Sequence, residues 1–293
     1  MPCCFLNENV TVSLLLLFFQ FMSITVHPFD QAVKLDLQAY GVWRGHTDPA
    51  YGNMVGPFGG ITSAVLLNAI LKDPARVGDP ISLTVNFAGP IEDGPFTIEA
   101  KAVRTNRSTQ HWSVNLYQHN GELATTASAV FAIRRETWES TELAFPVRTP
   151  ALELKRADTS KAPEWTRRYD LRPHKGLMID GQLPKHEPDA ETEFWVQDDP
   201  PRPLDFLSLT SICDSFVPRI FVRRQGRFPA GTITLTTHFH AYAEMLSSQG
   251  SKHVLGLARA SKFGMGYHDQ SAEIWSDQQQ LLATSHQLVY FKA

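Results

Sequence analysis

Residues 231–240 read GTITLTTHFH, and the chain has already spelled much of this once: residues 233–239 are ITLTTHF, residues 81–87 are ISLTVNF. A second echo keeps the order. LATTASAVF at residues 123–131 returns as LATSHQLVY at residues 282–290. The offsets are 152 and 159, a difference that one loop of seven residues absorbs. Two echoes in order at nearly one spacing mark a supersecondary unit built twice.

The same elements surround each echo. In the first copy, Ile61, Val65, Leu66, Ala69 and Ile70 recur at helical spacing, and Asp73-Pro74 stops the helix. Strand-like runs follow at 81–88, 96–103, 112–118 and 123–133, with turn chemistry at Asp93-Gly94 and Asn120-Gly121. In the second copy, residues 193–196 read as a strand and 203–221 as one helix. Strands are then expected at 231–240, 253–260, 265–275 and 281–291. The domain reading is an N-terminal extension at 1–27, one unit at 28–135, a surface linker at 136–175 and a second unit at 176–293. Basic side chains of the linker either reach ligand phosphates or are simply solvated.

Composition narrows the function. The 293 residues suit two domains, and 43% hydrophobic with 19% charged residues makes the chain globular. A net charge of −3 gives no electrostatic case for nucleic acid. Cys3, Cys4 and Cys213 form no zinc or disulfide pattern, which fits a reducing, cytoplasmic setting. Residues 10–22, VTVSLLLLFFQFM, are short for a membrane span. Glu8 precedes them, with no basic residue and no A-x-A site, so they do not read as a signal peptide. Met22 is the expected start, with 1–21 an upstream extension of the gene. A secreted chain would instead offer Asn9-Val10-Thr11 and Asn106-Arg107-Ser108 as glycosylation acceptors.

Comparing the copies selects candidate chemistry. At the two offsets Thr62 faces Asp214, Pro80 faces Thr232, and Ser128 faces Gln287. The second copy thus carries a carboxylate, a hydroxyl and an amide where the first has Thr, Pro and Ser. A duplication that kept one working site leaves such an asymmetry. Each residue alone has a plainer reading: a solvated helix Asp, a strand Thr chosen for propensity, a Gln on a wet face. Together they can surround one water as a general-base site. Gly59 and Gly60 open the first helix, either exposing backbone N–H groups to a ligand or letting helix and sheet pack closely. His238 and His240 lie two apart on a strand with no third metal ligand at a suggestive spacing. The chain has no GxSxG elbow, P-loop, GxGxxG or HExxH.

Gly59-Gly60 opening a helix, the SLTVNF strand, the hairpin Asn120-Gly121-Glu122-Leu123-Ala124 and the repeated unit resemble the double hotdog acyl-CoA thioesterases, the TesB-like group. The resemblance spans residues 30–293 outside the linker. It implies an α+β fold, a tandem hotdog in which an antiparallel sheet wraps a long helix twice. It also implies hydrolysis of acyl-CoA to free acid and CoA without metal, cofactor or covalent intermediate. The family's site residues match Asp214, Thr232 and Gln287, with backbone N–H groups near Gly59, Gly60 and Ile61 as oxyanion or substrate contacts. The last hairpin, Ser276-Asp277-Gln278-Gln279-Gln280, departs from the pattern in lacking a turn glycine. Two other readings stay open: a non-catalytic acyl or polyketide thioester binder, and a hotdog hydratase or dehydratase. The latter uses an Asp–His pair, and no Asp-x-x-x-x-His occurs here. Exposed sheet edges lead to the expectation of a homodimer. The C-terminus, Phe291-Lys292-Ala293, is not a peroxisomal address.

Overall fold

The computed structural model describes residues 26–176, 189–224, 226 and 228–292. The apolar run at 10–22, the acceptor at Asn9, and Cys3 and Cys4 lie outside the described residues. His27, assigned from sequence to the extension, belongs to the fold: its Nδ1 accepts the Phe29 N–H at 3.0 Å and caps helix α1 (Pro28–Ala32). Strands β1 (Asp36–Ala39) and β2 (Val42–His46) precede helix α2 (Gly59–Leu71). The first meander is β3 (Asp79–Phe87), β4 (Pro95–Thr105), β5 (Thr109–Gln118) and β6 (Leu123–Ala132). The second half holds β7 (Tyr169–Lys175), β8 (Thr192–Asp198), α3 (Phe206–Ile212) and α4 (Arg219–Arg223). It continues with β9 (Ala230–Phe239), α5 (Ala243–Gln249), β10 (Val254–Arg259), β11 (Phe263–Gly264), β12 (Tyr267–Trp275) and β13 (Leu281–Phe291).

These strands form one 13-stranded sheet in the order β1-β2-β4-β5-β6-β3-β9-β13-β12-β10-β8-β7, with β11 on β12. Read outward from the centre, both halves run in the same sequence of roles, so the echo in the amino acids is an echo in topology. The halves meet where β3 pairs antiparallel with β9. Thr84 lies opposite Thr236, its own counterpart at offset 152, and their hydroxyls are 3.0 Å apart. A local two-fold axis therefore passes between them.

Helix α2 is buried on every side from Gly60 to Ile70, so it is a core rod rather than an amphipathic surface helix. Leu66, Leu67 and Ile70 are fully buried, each contributing roughly 1.5–3 kcal/mol. Its polar residues are satisfied internally: Thr62 and Ser63 hydroxyls donate to the carbonyls of Phe58 and Gly59, and Asn68 Nδ2 donates to the Val33 carbonyl at 2.7 Å.

Three further expectations need correction. The single helix at 203–221 is two short helices, α3 and α4, with Asp214 in the turn between them. Pro218 is the reason: it lacks an N–H, and its ring would strike the carbonyl four residues back, that of Asp214. The linker also ends earlier than residue 175. Residues 169–175 are strand β7, paired with β8, and Trp165 just before it stacks on Phe58 at 4.1 Å.

The third correction concerns register. Ala124 O accepts the N–H groups of Ala88 and Gly89, and Leu282 O accepts those of His240 and Ala241, so residue 124 corresponds to 282. The structural offset for the later strands is 158, not 159. Gln287 is therefore the counterpart of buried Ala129, and exposed Ser128 corresponds to exposed His286. A one-residue slip turns every side chain to the opposite face of the sheet.

Candidate active site

Asp214 ends up where three elements converge. Asp205 caps α3 by accepting the Ser208 N–H at 2.8 Å, and the helix runs to Ile212. The Ser215 hydroxyl and N–H both bond to the Ile212 carbonyl, closing a turn that turns Asp214 toward α2 and the central strands. On β13, Gln287 occupies an inward-facing position, and Thr232 sits on adjacent β9, diagonal to it.

The three side chains form one chain of hydrogen bonds. Thr232 Oγ1 donates to Gln287 Oε1 at 3.0 Å, and Gln287 Nε2 donates to Asp214 Oδ1 at 2.8 Å. The carboxylate fixes the amide orientation: it only accepts, so the Gln287 nitrogen faces Asp214 and the Gln287 oxygen is left to accept from the Thr232 hydroxyl. The Gly60 backbone N–H faces the same carboxyl and adds a second lowering influence on its pKa. Burial is the largest influence on this carboxyl and pushes its pKa up to about 7, against the lowering by Gln287 and Gly60. Asp214 is 8% exposed and Gln287 5%, so this is an interior site.

Both glycines of α2 are fixed by what packs on them. A Cβ at Gly59 would lie 2.6 Å from Asp214 Oδ2, and one at Gly60 would lie 2.5 Å from the Ser211 carbonyl oxygen. Close packing thus holds for both glycines, and Gly60 is buried. In this resting arrangement the Gly60 N–H is directed at the carboxylate. Ile61, the third residue expected to offer a backbone contact, is buried at the first turn of α2.

The symmetry-related place in the first half contains Thr62, Pro80 and Ala129, and no carboxylate. The two histidines singled out from sequence stand elsewhere. His238 pairs with Thr284 across β13 on the exposed side, and His240 Nε2 lies 3.0 Å from Thr284 Oγ1. Among the described residues no group of three His, Cys, Asp or Glu side chains is placed to hold a metal. Also among the described residues, no helix is long and apolar enough to cross a membrane. Sequence reasoning missed the supporting residues Pro218 and Ser211. Ser211 carries its backbone against Gly60 and its hydroxyl 2.8 Å from Tyr169 Oη. The proline was legible; the serine's role depends on a contact between helices.

The family models that match are the acyl-CoA thioesterase N-terminal domain over residues 48–132 and the acyl-CoA thioesterase C-terminal domain over residues 146–291. The chain belongs to the acyl-CoA thioesterase family, in its double-hotdog, TesB-like form. A conserved hot dog protein of unknown function from Alicyclobacillus acidocaldarius is 45% identical, with a TM-score of 0.86 over 92% of this chain and 99% of that one. An acyl-CoA thioesterase II from Mycobacterium marinum shares the fold at 17% identity, with a TM-score of 0.71 over 90% of this chain and 98% of that one. A Saccharolobus solfataricus protein provisionally described as an esterase is 28% identical over 71 residues. That match spans 24% of this chain and about half, 47%, of the relative. The α+β tandem hotdog of this chain is thus the fold of these two structures as well.

Proposed function

We propose that this thioesterase-family chain hydrolyses acyl-CoA thioesters to free acid and CoA, with Asp214, Thr232 and Gln287 activating water in the second hotdog. The observation that carries the reading is the hydrogen-bonded chain from Thr232 through Gln287 to a carboxylate whose pKa lies near neutrality. A carboxylate of this kind is half-ionised near pH 7 and matched to general-base work. Asp214 takes the proton as water attacks the thioester carbonyl carbon; the carbon–sulfur bond then breaks and that proton passes to the departing CoA thiolate. Gln287 and Thr232 hold the carboxylate and the water. Backbone N–H groups at the start of α2, from Gly59 to Ile61, receive the developing oxyanion once substrate draws Asp214 and Gly60 apart. Cys213 is not the nucleophile in this reading, because it is wholly buried with its thiol pKa pushed up to about 12.

The reading carries a cytoplasmic homodimer in fatty acid metabolism with it. Among the described residues two edges remain for pairing, β1 with exposed Leu37 and β7. In a purified sample, Asp214→Asn or Gln287→Ala should lower kcat for thiol release from acyl-CoAs by about 100-fold or more, with the circular dichroism unchanged. Near-normal turnover in both variants removes the mechanism. Acyl-CoA recovered intact after long incubation with the wild type would favour a binding protein instead.

A further inference from the structure

The corrected register exposes a second set of differences between the halves. Helices α2 and α4 end together at offset 152, Leu71 with Arg223, so Arg219 stands where the first half has Leu67. Strands β5 and β12 correspond at offset 158, since Ser113 pairs with Ser128 and Ser271 with His286. Gln270 therefore replaces Trp112, and His268 replaces Gln110. The first half buries Leu67 and Trp112 in its core; the second buries an arginine and a glutamine at the same places.

Arg219 is fully buried with no carboxylate partner, and burial lowers its pKa to about 9. Its Nε donates to Gln270 Oε1 at 2.9 Å, and its other donors reach the carbonyls of Val217 and Ala190 and the Thr192 hydroxyl. A guanidinium only donates, so the Gln270 oxygen must face it and the Gln270 amide nitrogen must point away. That nitrogen is buried without a partner. Two residues along the same inward face, His268 Nδ1 lies 3.0 Å from the Asp269 carbonyl, so Nδ1 carries the proton. Burial keeps the ring neutral, which leaves Nε2 as a bare acceptor, and it too is buried without a partner. An unmet donor and an unmet acceptor thus share one strand face, and Gln270 is the direct cross-strand neighbour of Gln287. Phe263 and Phe291 flank the His268 ring at 5.2 and 6.0 Å. The same two rings, with Ile220 and Arg224, wall an open cavity of about 450 Å³ on their far side, and His268 itself lies behind them.

We infer that Gln270 and His268 form a hydroxyl-recognising subsite, so that the preferred acyl group carries a hydroxyl near its thioester end. A hydroxyl is the group that accepts from an amide N–H and donates to an imidazole lone pair at once. A carboxylate would meet the lone pair with like charge, and a plain methylene would leave both groups unmet. Cross-strand neighbours have Cα atoms about 4.5–5.5 Å apart, which puts the subsite beside Gln287 and hence the hydroxyl toward the thioester end of the acyl chain. Arg219 is a positioning residue that orients the amide.

This inference rests on the thioesterase reading for the orientation of the acyl group, and its test avoids hydrolysis. Full-length protein is titrated calorimetrically with S-alkyl-CoA thioethers and with S-(hydroxyalkyl)-CoA thioethers of equal length, the hydroxyl walked along the chain. One hydroxyl position should bind about 10- to 100-fold tighter than the unsubstituted thioether. Gln270→Leu and, with the Arg219–Gln270 bond left intact, His268→Phe should each bring that ratio to within about twofold, with the plain thioether binding at least as tightly as to the wild type. Equal affinity at every position in the wild type, absence of binding, or a preference that survives both substitutions overturns the inference. Failure of the thioesterase reading registers separately, as absent thiol release from acyl-CoA.

Discussion

Asp214 is a carboxylate stabilised as an anion by two donors and destabilised by burial, and burial wins. Two pH effects follow from that balance. Activity that needs the ionised form should rise with pH to a plateau, with kcat/KM reporting one apparent pKa near 7. Gln287→Leu removes a lowering influence, so the rising limb of its residual activity should move to higher pH. Stability runs the other way. The folded pKa lies above the unfolded value of 3.8, so the folded state holds an extra proton between roughly pH 4 and 7, and this contribution is lost as pH rises through that window. Asp214→Asn should then be more stable than the wild type at pH 8 by about 1–3 kcal/mol in urea titrations, and lose that advantage at pH 4. Asp198, buried and raised to about 6, contributes in the same direction, so the difference between the two proteins is the quantity to read. These residues were legible as types because the repeat supplied an internal comparison. Their pKa values were not, since burial belongs to the packed state.

At the scale of elements, the site depends on how closely α2 approaches the turn after α3. Two glycines set that distance, and they should respond differently to a methyl group. Gly60→Ala places a Cβ against the Ser211 carbonyl, which is backbone, so the helices must separate. A loss of about 1–3 kcal/mol in urea titrations is expected, with lowered kcat because the start of α2 and its backbone N–H groups shift away from the turn that carries Asp214. Gly59→Ala meets the tip of the Asp214 side chain, which can rotate away. Its stability should fall by less, while kcat drops by at least about 10-fold as the carboxylate is displaced. The apolar spacing after Gly59-Gly60 foretold α2. The same reading failed across 203–221, where apolar periodicity continues through Pro218 although the helix does not. Periodicity reports which side is greasy, whereas a proline decides whether the backbone can continue.

For the whole molecule, the seam between β3 and β9 makes two repeats one sheet, and a single cluster of buried residues runs from Phe29 to Ala283. Phe58 of the first half stacks on Trp165, which leads into β7 of the second. The halves should therefore unfold together: far-UV circular dichroism and tryptophan fluorescence should give coincident transitions in urea. Two resolved transitions would show that the seam does not couple them.

What the amino-acid sequence determined by itself was the doubling, the class of fold and the identity of the polar trio, because repeated strings and residue types survive being read in one dimension. The partner of Gln287 in the first half, the break beside Asp214 and the buried group formed by Arg219, Gln270 and His268 were decided in three dimensions. A sheet has two faces, and a string cannot tell a one-residue change of register from none until hydrogen bonds between strands fix which face each side chain takes.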